Sequence, residues 1–226
     1  MTGLVLQTQA DVPAGLLDQW AARRGFELTT FRVDQGGQWP DPREHAFVVA
    51  LGSSASAAGG GPEWVERVIE LLRAADAADV PVLGICFGAQ ALAVALGGRV
   101  RRLRRPEVGW VTVRTNDADR VPAGPWLAWH EDGFTLPPLA YELASNPFGV
   151  QAFCHRHHLG VQFHPEVTPA IVHAWTATDH ADLQRAGVTA ADLEPAPHAD
   201  AAARAAATLF DGFAARAGLM VVTSRT

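Results

Sequence analysis

A chain of 226 residues is long enough for one domain or slightly more, and a hydrophobic content of 48% supplies a sizeable core. The formal net charge of -6 offers no electrostatic footprint for nucleic acid or an anionic membrane, and two cysteines are too few for a disulfide framework. The Thr2 to Gln7 stretch is too short for a signal-peptide core, and no later apolar run approaches the roughly 18 residues of a membrane span, so the expectation is a soluble protein of the reducing cytoplasm.

Along the first half, strand and helix patterns alternate. Gly3 to Gln7 reads as a strand, Ala14 to Arg24 as a helix, Glu27 to Val33 as a strand and Ala46 to Leu51 as a further apolar strand. Pro62 stands where a helix can begin, and Trp64, Val65, Val68, Ile69, Leu71 and Leu72 recur at helical spacing. Val82 to Ile85 reads as a short buried strand, and the Ala- and Leu-rich Phe87 to Leu96 as the helix after it. This order predicts an α/β fold with a mostly parallel central sheet flanked by helices. After Gly97-Gly98, short strands at Gly109 to Thr115, Tyr141 to Ser145, Gly149 to Cys154 and Leu159 to Phe163 predict a small antiparallel extension. From Pro169 the chain reads as helical, through Ile171, Val172 and Trp175 and then Ala201 to Ala217. The expected organisation is residues 1–170 as the main domain, with 171–226 as a helical appendix packed on it.

Cys86 is the residue that needs explaining. It stands where a buried strand hands over to a helix, so its thiol faces free helix N-terminal amides, which favour the thiolate. Gly84 and Gly88 flank it at a spacing of two, as in the strained turn that exposes a hydrolase nucleophile. Downstream, Gly160-Val-Gln-Phe-His-Pro-Glu ends a strand in His164 with Glu166 two residues later, supplying a base and its orienter.

The two motifs together resemble those of class I glutamine amidotransferases, the Cys-His-Glu family that takes ammonia from the glutamine side chain, and most closely its GMP synthase-like branch. The resemblance covers residues from about 3 to 170 and implies the family's flavodoxin-like fold. It assigns Cys86, His164 and Glu166 as the catalytic triad, glutamine as the substrate and a separate ammonia-using synthase as the partner. It also places Gln90 in the glutamine pocket, and one oxyanion donor in the loop after Leu51, with the Phe87 amide as the other. That loop reads Gly52-Ser-Ser-Ala-Ser and departs from the family's glycine-proline pattern, so Gly52 is taken as its anchor. Trp129 to Phe134 resembles the family's His-x-Asp stretch and is assigned to the pocket wall. Neither a Walker-type phosphate loop nor the Ser-Gly-Gly-x-Asp-Ser loop of the synthetase half of GMP synthetase occurs, so the reading includes no cofactor and no metal.

Other features have plainer readings. Cys154-His-Arg-His-His carries metal-ligand residue types but lacks a spaced second cluster, and reads as a hairpin turn. Gln90 is nearly as plausible as a structural hydrogen-bonding residue as it is as a substrate ligand. Arg99, Arg101, Arg102, Arg104 and Arg105 read as a solvated face, with an acidic partner surface as the alternative. The same triad also serves a hydrolase of γ-glutamyl peptides or conjugates. A catalytically quiet regulatory protein is a third reading, against which an intact triad argues.

Overall fold

The computed structural model describes residues 1–178 and 180–219. Its centre is an eight-stranded sheet. β1 (Thr2–Gln7) pairs in parallel with β2 (Glu27–Arg32) on one side and β3 (Phe47–Ala50) on the other. β3 pairs with β4 (Val82–Ile85), and both are buried along their whole length. Residues on β1 point alternately to two cores: Val5 packs with Phe47, Val49 and Leu83, while Leu4 and Leu6 pack with Val48, Ala50 and Val82 on the other face. Helices cover both faces, so these strands are continuously apolar instead of alternating.

On one face lie α2 (Trp64–Ala77) and α3 (Phe87–Ala95). α2 turns Val65, Val68, Ile69, Leu71, Leu72 and Ala75 inward, and α3 is buried from Phe87 to Ala93. The other face is covered by α1 (Leu16–Arg24) and, in the C-terminal part, α4 (Pro169–Thr178) and α6 (Ala199–Arg216). Trp20 on α1 packs against Phe210 on α6 with ring centroids 5.7 Å apart, and its indole N–H donates to Asp211 at 2.8 Å. α5 (His180–Ala186) lies between α4 and α6 in sequence.

The downstream half of the sheet turns antiparallel. β10 (His158–Val161) runs parallel to β4, and β9 (Gly149–His155), β8 (Tyr141–Asn146) and β6 (Arg114–Thr115) follow in antiparallel order. Arg156 and His157 form the β9–β10 turn, and Arg156 takes the positive φ of 51° that a tight reversal requires.

Two elements differ from the sequence expectation. The arginine run is itself a strand: β5 (Val100–Val111) pairs antiparallel with β7 (Trp126–Phe134) in a separate two-stranded sheet, its register broken between Arg102 and Glu107. The strand expected over Gly109 to Thr115 is therefore the end of β5 followed by the two-residue β6. β5 escapes the pattern because its outer half is solvated on both faces and carries no apolar alternation. Among the described residues, no helix is long and apolar enough to cross a membrane.

Candidate active site

The site lies outside the carboxyl ends of the parallel strands, where open α/β sheets place their ligands. Gln9 follows β1, Gly52 follows β3, Cys86 follows β4, and Gln162 and His164 follow β10. At this edge lies a cavity of about 280 Å³, with Gln9, Ser53, Cys86, Gln90, Trp129 and His164 among its lining residues.

Cys86 sits at the N-cap of α3 with φ 50° and ψ -109°, a strained conformation for a residue with a side chain. Its N–H donates to Val161 O at 2.8 Å and its carbonyl accepts from Gln90 N at 3.0 Å, so sheet and helix hold the turn from both sides. The flanking glycines are sterically required: a Cβ on Gly84 would come within 2.6 Å of Gly88 O, and one on Gly88 within 1.9 Å of Ala50 O. Gly88→Ala must push α3 away from β3, and we expect it to cost about 1–3 kcal/mol or more, read as a lowered Tm in thermal unfolding. A Gly88→Ala protein with unchanged Tm contradicts this close approach.

His164 is placed by the strand end: its N–H donates to Leu127 O on β7 at 2.8 Å, and its ring stands edge-on to Trp175 of α4 at 4.9 Å. Its Nδ1 lies 2.7 Å from Glu166 Oε1, and Glu166 is fully buried. Burial alone would push the His164 imidazole down. The negative charges of Glu166 and Cys86, and hydrogen bonds to both, override it and hold His164 well above the ordinary histidine range. An imidazolium beside a cysteine sulfur, oriented by a carboxylate, has the parts of an acyl-transfer centre.

Gly52 touches this group directly. A Cβ there would lie 2.9 Å from His164 Cε1 and 3.7 Å from Cys86 Cβ, so the position admits only glycine without displacing the imidazole. Beyond Gly52 the loop is tied at two points: Gln9 Oε1 accepts from Ser54 N at 2.9 Å, and Ser56 Oγ donates to Asp132 Oδ2 at 2.5 Å. The Ser54 N–H is thereby satisfied. Ala55 N donates to Ser53 Oγ at 3.1 Å. Of the amides at 53 to 55, that of Ser53 has no acceptor among the described residues. Phe87 opens α3, where the first-turn N–H groups have no intrahelical acceptor.

Gln90 is buried, with its amide NH2 donating to Asp132 O at 3.1 Å and Gln162 Oε1 at 3.2 Å. Both its N–H groups are thereby committed inside the protein, and any part it takes in the pocket falls to Oε1. His130 faces two acceptors, Asp132 O and Glu107 Oε2, each at 2.8 Å. At the mouth, Arg102 pairs with Glu131 and Asp132, and Arg185 of α5 pairs with Glu131 and Asp182.

Sequence reading gave no role to Gln9, Gln162 or Trp175. For Gln162 the signal was present: it stands two residues before His164 at the strand end, and period-2 geometry puts both on one side. Trp175 had no such signal, because only the docking of α4 brings it to His164.

The chain matches the family model "Glutamine amidotransferase class-I" over residues 18–174. It is 40% identical over 124 residues to a glutamine-hydrolysing GMP synthase subunit of Sulfurisphaera tokodaii, the match covering 48% of this chain and 65% of that protein, just under two thirds of its length. A GMP synthase subunit of the same kind from Thermoplasma volcanium is 30% identical over 170 residues, covering 62% of this chain and 84% of that one. Among solved structures, a glutamine amido transferase from Methylobacillus flagellatus superposes with a TM-score of 0.87 at 22% identity, over 100% of this chain and 98% of that one. The mostly parallel sheet, its flanking helices and the small antiparallel sheet are the architecture shared with that structure. This chain belongs to the class I glutamine amidotransferase family.

Proposed function

We propose that the protein is a glutaminase that supplies ammonia to a separate synthase. The observation that carries this reading is the convergence of Cys86 and His164 on one cavity, with Glu166 bonded to His164 behind it and the cysteine at a positive-φ strand-to-helix turn. Cys86 Sγ attacks the side-chain carboxamide carbon, and the carbonyl oxygen becomes an oxyanion held by the Phe87 and Ser53 amides, each worth about 3 kcal/mol in the transition state. His164 gives its proton to the departing nitrogen, the C–N bond breaks and ammonia leaves a γ-glutamyl thioester. Water then gives a proton to His164 as its oxygen attacks the thioester; the C–S bond breaks and glutamate departs. Glu166 holds the imidazole. The mouth presents both signs of charge, Arg102 beside Glu131 and Asp132, which matches the zwitterionic head of a free amino acid, and Gln90 lines the same pocket through its oxygen.

The matched relatives from Sulfurisphaera tokodaii and Thermoplasma volcanium are glutamine-hydrolysing GMP synthase subunits by name, so a synthase of that type is the first partner to test. In this reading residues 1–170 form the catalytic domain, and the helices after them complete it by bringing Trp175 and Asp182 to the cavity. Both cysteines are buried free thiols, which suits a reducing cytoplasm.

The test is ammonia release from glutamine compared with glutamate release from γ-glutamyl peptides, with and without the synthase. We expect glutamine to be preferred and its hydrolysis to rise at least tenfold, about 1.4 kcal/mol of barrier, when the synthase is added. Arg99, Arg101, Arg104 and Arg105 are exposed on or next to β5, the strand that carries Arg102, and replacing them with Gln while keeping Arg102 is expected to weaken that activation and reduce its salt sensitivity. Full activity alone, greater on γ-glutamyl peptides than on glutamine, overturns the reading in favour of the hydrolase.

A further inference from the structure

The structure assigns Gln162 as a further catalytic residue, a hydrogen-bond donor to the Cys86 sulfur that stabilises its thiolate and is aimed by a chain of buried polar groups ending in the Glu107–His130 pair. The assignment rests on Cys86 being the nucleophile.

Gln162 is buried, and its Nε2 lies 3.8 Å from Cys86 Sγ, within the longer reach of hydrogen bonds to sulfur. An amide side chain can present either its oxygen or its nitrogen, and the neighbours decide which. The chain of decisions begins at Asp132 O, which can only accept. It takes Nδ1–H of His130 at 2.8 Å and Nε2–H of Gln90 at 3.1 Å. With the Gln90 nitrogen so oriented, its second hydrogen points to Gln162 Oε1 at 3.2 Å, and this turns the Gln162 nitrogen towards the sulfur.

The far end is fixed as firmly. His130 Nε2 meets Glu107 Oε2 at 2.8 Å, and the same carboxylate accepts from Asn146 Nδ2 at 2.5 Å and Gln151 Nε2 at 3.0 Å. Glu107 and His130 are buried and play no part in the triad mechanism. Polar groups from α3, β5, β7, β8 and β9 thus combine to orient one amide, an arrangement that a buried network sustains only when its members are satisfied. Gln90, Gln162, His130 and Glu107 are held through the bonds named above, while Gln151 Oε1 at the far end has no partner among the described residues.

The other neighbour of the sulfur explains why a donor is needed. Trp129 O lies 3.8 Å from Sγ, where it accepts from a thiol but repels a thiolate. On one side His164 draws the proton away, while on the other the Trp129 carbonyl favours the thiol. Gln162 offsets that carbonyl. A hydrogen bond to a charged acceptor is stronger than one to a neutral group, so its contribution grows as the proton leaves.

The test is the pH profile of Cys86 alkylation by iodoacetamide in the full chain, with mass spectrometry to separate Cys86 from Cys154. Gln162→Met removes the donor and keeps an apolar filler of similar length; the profile is expected to move to higher pH, with alkylation at neutral pH slowed about tenfold, or about 1.4 kcal/mol. Gln90→Met, which frees the Gln162 amide to rotate, is expected to shift the profile the same way by less. Should Gln162→Met fail to fold, Gln162→Leu, which also lacks the donor and carries no charge, gives the same comparison. A Gln162 variant whose alkylation profile superimposes on that of the unaltered protein overturns the assignment. Because alkylation requires no substrate, it stands or falls separately from the choice between glutamine and γ-glutamyl peptides.

Discussion

Cys86→Ala is expected to abolish both ammonia release from glutamine and covalent labelling by a glutamine analogue carrying a diazoketone. The loss should be complete because the thioester route has no other thiol in the cavity: among its lining residues Cys86 is the single cysteine, and Cys154 lies on β9, paired with Leu159 and Tyr141. Cys154→Ser is accordingly expected to leave labelling and turnover nearly unchanged. Stability should hold in Cys86→Ala as well, since alanine removes only the sulfur from a turn held by backbone bonds to Val161 and Gln90. Labelling at Cys154 with Cys86 untouched would reverse the assignment.

His164→Ala is expected to lower turnover by about a thousandfold or more, because in the proposed mechanism the same imidazole protonates the leaving ammonia and deprotonates the attacking water. Glu166→Gln should cost less, since it leaves the imidazole in place and removes only its orienting charge. The pair also predicts a pH effect that a merely structural histidine would not show. His164 is held well above the ordinary histidine range against the downward pull of burial, chiefly by the charge of Glu166. A folded-state value raised above the unfolded one makes the pair's contribution to stability fully present below about pH 6.5, and that contribution is lost as the pH climbs through the raised value. The stability advantage of the unaltered protein over Glu166→Gln should therefore be greatest at mildly acidic pH and shrink towards alkaline pH. Imidazole titration by NMR should show His164 still protonated above the ordinary range, and Glu166→Gln should bring it down. Near-normal glutaminase activity in folded His164→Ala would end the triad reading.

The central layer was legible because each of its elements is specified locally. Val82 to Ile85 is bounded by a proline and the Cys86 turn, and a Cβ added at Gly84 or Gly88 would come within 2.6 Å of Gly88 O or 1.9 Å of Ala50 O. The inward stripe of α2 repeats at helical spacing and matches its buried residues. By contrast, β5 was obscured because its outer half is solvated and carries no apolar alternation, and β7 because the buried positions of its alternation include the polar His130 and Asp132. Gln90 was half legible: its place one helical turn after Cys86 was clear, whereas the commitment of its NH2 to Asp132 and Gln162 depends on a strand pairing far away in the chain.

By itself the sequence determined the parallel α/β order, the strained turn at Cys86 and the motif that carries His164 and Glu166, because these depend on neighbours within a few residues or on a period of 2 or 3.6. Tertiary structure alone decided that Gln9 caps the Ser54 amide, that Trp175 from the C-terminal helices walls His164, and that Gln162 points its nitrogen at the sulfur. Each of these depends on side chains from distant elements meeting at the carboxyl edge of the sheet. A hydrogen bond or ring contact leaves no periodic trace in the chain, so only the packing of α4, β7 and β10 around that edge could reveal it.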